Sequence, residues 1–286
     1  MIENKICLVT GATSGIGEVT ARELARQGAH VVLLARNEAK AAQVQQEIKR
    51  ISGNDKVDVL LADLSSLEQV RQVAATFNSS YPRLDVLVNN AGLLLGSERQ
   101  VSADGYEQTL AVNHLAPFLL TSLLFPKLLQ SREPRIVNVA SEAYRAAKPD
   151  FNDINMDQRY SAVRAYSNSK LYNILFTREL ARRAQEQGHT HLVTNAVHPG
   201  VVASNFSVSA GGWLHFVFKL LSPFSISSEK GAQTSIYLAS EPAADKYNGQ
   251  YFAKKKLKPV KHAFATPENA ARLWEVSEKL VGEKFL

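Results

Sequence analysis

Two residues four apart, Tyr166 and Lys170, are of types that can move a proton together. In a helical segment that spacing brings both side chains onto one face, about a turn apart. A phenol has a reference pKa near 10. Exchanging its proton near neutral pH therefore needs a shift of roughly 3 units, about 4 kcal/mol in favour of phenolate. A neighbouring ammonium works in that direction, and Lys170 is assigned the task. Ser141 directly follows a strand-like run, where its hydroxyl is placed to hydrogen-bond a substrate oxygen. A Tyr-x-x-x-Lys pair arises often by chance, so its weight comes from where it falls in the chain.

Asn113 enters by a backbone argument. Pro117 sits four residues later inside a long helical pattern. It has no N–H to give to the Asn113 carbonyl and crowds it, which predicts a kink and leaves that carbonyl to hold a water. This implies a proton route from solvent through that water and Lys170 to Tyr166. A kink without chemical meaning has the same signature.

At the other end of the sequence, Thr10-Gly11-Ala12-Thr13-Ser14-Gly15-Ile16-Gly17 runs from an apolar strand into a helical pattern. Glycines there permit a tight turn and close approach of a pyrophosphate, whose charge meets unpaired N–H groups and the positive end of the helix dipole. Gly11, Thr13, Ser14, Gly15, Ile16 and Gly17 are the candidate contacts, spaced Gly-x-x-x-Gly-x-Gly rather than Gly-x-Gly-x-x-Gly. A purely structural turn is the alternative. The second strand ends in Leu34-Ala35-Arg36-Asn37, without the carboxylate that would hold a ribose 2′-hydroxyl. Arg36 offers instead a planar cation suited to a 2′-phosphate, so NADP(H) is the expected cofactor. Asp63 and Leu64 after the third strand, and Asn90, Ala91 and Gly92 after the fourth, are placed to contact adenine and ribose.

The elements that must position these residues alternate. Runs at Ile6 to Thr10, His30 to Ala35, Val57 to Leu61, Asp85 to Asn89, Arg135 to Ala140 and Leu192 to His198 read as strands. Helical patterns cover roughly 15 to 27, 38 to 51, 66 to 78, 102 to 130, 160 to 186 and 228 to 240. Gly28 and Gly188 stand where two of them stop. A strand near Gln250 to Ala253 and a helix over Pro267 to Val281 complete the series. The fold class is α/β: one Rossmann-type doubly wound parallel sheet of about seven strands with helices on both faces. No linker or repeat divides residues 1–286, so one domain is expected, with its ligand beyond the carboxyl ends of the strands.

Composition agrees with a globular chain, 45% hydrophobic and 21% charged, with no run of eighteen apolar residues. The net charge of +6 is spread out except for Lys254, Lys255, Lys256, Lys258 and Lys261. That cluster reads as a solvated turn rather than a nucleic-acid site. Cys7 is the single cysteine, which leaves no disulfide framework, and no metal site is expected. Met1 to Lys5 lead into the first strand without signal-peptide character, and a cytoplasmic location is the default expectation.

Thr10 to Gly17, Asn89 to Gly92, Asn113, Ser141, Tyr166, Lys170 and Pro199-Gly200, in that order over nearly the whole chain, resemble the short-chain dehydrogenase/reductase family. The resemblance implies a Ser-Tyr-Lys-Asn tetrad exchanging hydride between nicotinamide and a carbonyl or alcohol. It also implies a carboxamide-binding segment, Pro199 to Ser204, in which Pro199, Gly200, Val202 and Ser204 contact the cofactor. Ser204 stands where the family usually has threonine. The motifs Ala165 to Leu171, Asn173 to Leu180, Val197 to Val202 and Glu229 to Thr234 are similar to the retinol dehydrogenase-like branch. That likeness implies NADP(H) and a lipophilic carbonyl or alcohol, retinal among them. Many vertebrate members begin with a membrane anchor, which is not read here. The apolar stretch at about 203–228, with Gly211-Gly212, Trp213, Phe216, Phe218 and Leu221, corresponds to a substrate lid, with peripheral membrane contact as a second use. By the same resemblance the helices near 102 to 130 and 160 to 186 form a homo-oligomer interface. Two other readings are a light-dependent reductase similar to protochlorophyllide reductase, and a nucleotide-sensing module without chemistry. The first usually needs a cysteine near the site, and the second usually lacks the tyrosine or lysine.

Overall fold

The computed structural model describes residues 2–200 and 226–286. Val202, Ser204 and the lid segment up to residue 225 lie outside them. The strands are β1 (Ile6–Thr10), β2 (His30–Ala35), β3 (Val57–Leu61), β4 (Val86–Asn89), β5 (Arg135–Val139), β6 (Val193–His198), β7 (Gln250–Ala253) and β8 (Lys256–Leu257). They form one sheet in the order β3-β2-β1-β4-β5-β6-β7-β8. Every pair is parallel except β7 with β8. The doubly wound fold is therefore as expected, with a two-residue eighth strand added. β8 folds back through Lys254 and Lys255, both at positive φ (52° and 60°), so the basic cluster is a tight hairpin turn.

Continuous apolar strands reflect burial on both faces. The helices are α1 (Gly15–Arg26), α2 (Glu38–Ser52), α3 (Leu67–Ser80), α4 (Gln108–Leu110), α5 (Ala116–Leu129), α6 (Ala162–Glu186), α7 (Ser228–Ser240) and α8 (Pro267–Val281). One face of the sheet packs an aliphatic layer of Val9, Leu24, Val31, Leu33 and Ile48. The other carries the aromatic layer of Phe77, Phe118, Tyr172, Phe176 and Trp274. Gly28 and Gly188, at φ +84° each, end α1 and α6 in the left-handed conformation that costs glycine least.

The helix expected from 102 starts later. Ser102 to Glu107 form a turn closed by a bridge between Val101 and Glu107, and the Glu107 carboxylate caps α4 by accepting from Thr109 N and Leu110 N. The effect of Pro117 is more than a kink. Ahead of it the run passes through a π-helical segment, Ala111–Leu115, in which Ala116 N donates to Ala111 O, five residues back. The chain takes up the missing proline N–H by widening a turn, a local device that often accompanies function. The stretch Gln108–Leu129 reaches a mean hydropathy of 1.3, enough in length and composition to cross a membrane, yet 89% of its most apolar window is buried inside the fold. It is a core helix here.

Candidate active site

Reversal of strand order between β1 and β4 opens a crevice at their carboxyl ends, where the Thr10–Gly17 turn lies. The turn is braced from both sides. Thr10 Oγ1 accepts from Asn90 N at 3.0 Å and Ala91 N at 2.9 Å. Asn90 Nδ2 donates to Thr10 O at 2.9 Å and Gly11 O at 3.3 Å. Gly11 (φ +63°) and Gly15 (φ +58°) take the left-handed conformation. Gly17 has no room for a side chain, since a Cβ there would stand 2.3 Å from Gly11 O and 2.4 Å from Asn90 Nδ2. Ser14 is the N-cap of α1, yet its side chain makes no capping hydrogen bond. The N-caps Asn37, Ser66, Ser161, Ser227 and Thr266 all do, on α2, α3, α6, α7 and α8. Thr13, Ser14, Gly15 and Ile16 are partly exposed along this open N-terminus. The donor set suits a pyrophosphate, with the backbone close and the amides uncapped.

Arg36 extends from the tip of β2, 71% exposed, with Nη1 3.6 Å from Asp63 Oδ2. Asp63 also holds its own loop by accepting from Ser65 N and Ser65 Oγ. Leu64 is buried in the aromatic layer and lines a small cavity with Thr10 and Ala91.

The chemical residues gather one strand further along. Ser141, past the end of β5, caps a short 3-10 turn, Glu142–Ala146, its Oγ accepting from Ala143 N. Tyr166 and Lys170 share a face of α6, with the Lys170 amine 5.4 Å from the Tyr166 ring centroid. Lys170 is 3% exposed, and its Nζ donates to Val139 O at 3.2 Å. Asn113, in the π segment, is fully buried; its Nδ2 donates to Leu93 O and Ser169 Oγ, and its Oδ1 accepts from Leu93 N. Gly92 joins the two ends, because a Cβ there would lie 3.2 Å from Lys170 Nζ and 3.3 Å from Asn113 Oδ1. Pro199 and Gly200 follow β6 at the same rim. Gly200 (φ +100°) is pressed by Ile226, whose Cδ1 would be 2.6 Å from an added Cβ.

In the protein alone, burial dominates the electrostatics of Tyr166. Burial pushes the phenol up to about 12, outweighing a hydrogen bond with Ser141 that favours phenolate. The Lys170 amine is pulled down to about 8 by burial. In the protein alone the amine sits over the ring and on a carbonyl. Thr10, Asn173 and Ser169, which brace this geometry, are not singled out by sequence reasoning. Ser169 Oγ donates to Tyr166 O and accepts from Asn113 Nδ2. The one signal that could find them is their place inside the two motifs themselves.

An uncapped glycine turn at the switch point of a parallel sheet defines a dinucleotide-binding protein of the doubly wound class. Residues 5–214 match the short chain dehydrogenase family, and the chain belongs to it, within the retinol dehydrogenase-like branch. It is 41% identical to human retinol dehydrogenase 12 over 284 residues, 99% of this chain and 88% of that one. A crystal structure of an uncharacterized protein from Mycobacterium paratuberculosis superposes with a TM-score of 0.80 at 32% identity, covering 100% of this chain and 96% of that one. A short chain dehydrogenase from Escherichia coli CFT073, solved with NADPH, superposes at 0.68 with 27% identity, covering 89% and 98%. The chain is thus an oxidoreductase of a family that uses NAD(P)(H). The cytoplasmic expectation is withdrawn, because the retinol dehydrogenases it resembles are membrane-associated enzymes. The human enzyme also extends beyond the aligned part, which covers 88% of its length.

Proposed function

We propose that this chain reduces a lipophilic aldehyde or ketone of the retinal type with NADPH, and oxidises the alcohol in reverse. The observation that carries the reading is that Lys170 and Asn113 meet at Gly92, with Lys170 over the Tyr166 ring and Ser141 hydrogen-bonded to Tyr166. Bound NADPH supplies the hydride. The chain's own residues supply the proton and the orientation. Tyr166 donates its phenolic proton to the carbonyl oxygen as that oxygen gains charge, and Ser141 hydrogen-bonds the same oxygen. Lys170 favours the phenolate left behind. Asn113 pins Leu93 and Ser169, and its carbonyl takes the water that returns a proton through Lys170. Gly11, Thr13, Ser14, Gly15, Ile16 and Gly17 receive the pyrophosphate. Asn90, Ala91 and Gly92 meet the ribose, Pro199 and Gly200 the carboxamide.

Preference for NADPH rests on Arg36, whose exposed guanidinium has one carboxylate, Asp63, at 3.6 Å. A 2′-phosphate offers it a stronger, bidentate partner. Substrate class rests on the names of the retinol dehydrogenases to which the chain is similar. Residues 1–286 are proposed to act as one domain. A homo-oligomer through α5 and α6 is proposed, and within this chain α8 already packs on part of both helices. Trp274 stacks on Phe176 and meets Phe118 edge-on there, and Phe285 packs over both Trp274 and Phe118.

The test is NADPH oxidation with retinal, medium-chain aldehydes, steroids and quinones in parallel, NADH serving as control. Tyr166→Phe should keep NADPH binding and lose turnover by about 10²-fold or more. Retained turnover defeats the assignment.

A further inference from the structure

One carbonyl in the chemical end takes two side-chain donors. Val139 O, the last carbonyl of β5, accepts from Lys170 Nζ at 3.2 Å and from Asn173 Nδ2 at 3.3 Å. Both side chains are buried on α6, and three residues apart they share a face. Flipping the Asn173 amide would set its oxygen against the Val139 oxygen, so the donor orientation is determined by the carbonyl. The Asn173 Oδ1 and the Nδ1 of His114, in the π segment, are both buried without a hydrogen-bond partner among the described residues. His114 Nε2 meets Ser277 Oγ of α8 at 2.8 Å.

We infer that Asn173 is a positioning residue for Lys170, its amide sharing the Val139 carbonyl so that the amine can move toward the Tyr166 phenol without stranding a buried acceptor. A carbonyl has two acceptor sites. With both used, departure of the amine leaves the Asn173 bond in place. Without Asn173 the amine is the only side-chain donor on that carbonyl and is retained there. Around the pair, no other charged group among the described residues competes. Glu142, next to Ser141, is bound by Arg145, Lys258 and Tyr251, and His114 is neutral, its pKa driven to about 4 by burial.

This inference rests on the proposed role of Tyr166, and the experiment separates the two. Retinol oxidation by NADP⁺, the direction in which the Tyr166 phenolate takes the proton, is followed against pH in wild type, Asn173→Leu and Tyr166→Phe. NADPH affinity is measured by fluorescence quenching, and the Tyr166 phenolate by absorbance difference against Tyr166→Phe in the NADP⁺ complex. Asn173→Leu should leave NADPH affinity within about twofold and raise the phenolate pKa by about one unit, lowering kcat near neutral pH about tenfold. Should that variant fail to fold, Asn173→Ala, which removes the donor for the carbonyl without adding a charge, should shift the phenolate the same way. An unmoved phenolate titration in a folded variant overturns the inference, whether or not kcat or Tm falls. Turnover retained by Tyr166→Phe overturns the underlying reading instead.

Discussion

The cofactor end and the chemical end of the crevice are built on opposite principles. Between Thr10 and Gly17 the working surface is backbone, kept open by absent side chains, and its polar atoms are braced within the protein by Thr10 and Asn90. Around Tyr166 and Lys170 the working surface is side chain, buried at a cost, with a phenol pushed up and an amine pulled down. The first should break when atoms are added and the second when they are removed. Binding a dinucleotide needs only preformed donors, whereas moving a proton needs groups whose two charge states are close in energy.

The contrast is broken most strongly at Gly17. Gly17→Ala places a methyl 2.3 Å from Gly11 O, and backbone on that side cannot yield cheaply. A loss of about 3 kcal/mol in stability together with NADPH binding is expected, read by urea unfolding and fluorescence titration.

Lys170→Met should do the reverse. The folded pKa of about 8 lies below the ordinary 10.5, so the unfolded chain binds this proton more tightly. Burial of Lys170 therefore costs stability at neutral pH, and the cost is relieved as pH rises from 8 to 10.5. Removing the amine is expected to stabilise by up to about 3 kcal/mol while turnover is lost. The Tm gap between variant and wild type should close as pH climbs through that window; a gap constant with pH would show that the amine is not the cause.

Asn90→Ala strips the donor from two carbonyls of the turn. About 2 kcal/mol of NADPH affinity should go, with kcat at saturating cofactor nearly unchanged. The smallest effect is expected at Arg36→Ala: roughly a tenfold, about 1.4 kcal/mol, loss of preference for NADPH over NADH in kcat/KM. Equal losses for both cofactors would show Arg36 to be structural.

Much of the scaffold is legible in the residues alone. β1, β2, β3 and β7 match the expected strands residue for residue, and Thr266 and Pro267 open α8 as expected. These elements carry their own local signals: β-branched runs, a capping hydroxyl, a proline at the first turn, a left-handed glycine. α4 begins at Gln108 rather than near 102, because Ser102 to Glu107 carries apolar residues at helical spacing but is held by the Val101–Glu107 bridge. Pro117 announces a disturbed helix correctly, while its form as a π turn depends on what packs around Asn113 and His114.

By itself the sequence determined the type and order of the elements, the glycine turn, and the pairing of Tyr166 with Lys170, because each depends on residues within one or two helical turns of one another. Only the tertiary structure decided that Gly92 lies between Lys170 and Asn113, that Asn173 shares a carbonyl with Lys170, and that α8 covers α5 and α6. It also set how deeply Tyr166 and Lys170 are buried, which pushes the phenol up and the amine down in the protein alone. Burial and long-range hydrogen bonding are sums over neighbours far apart in the chain, and no local pattern of residues encodes them.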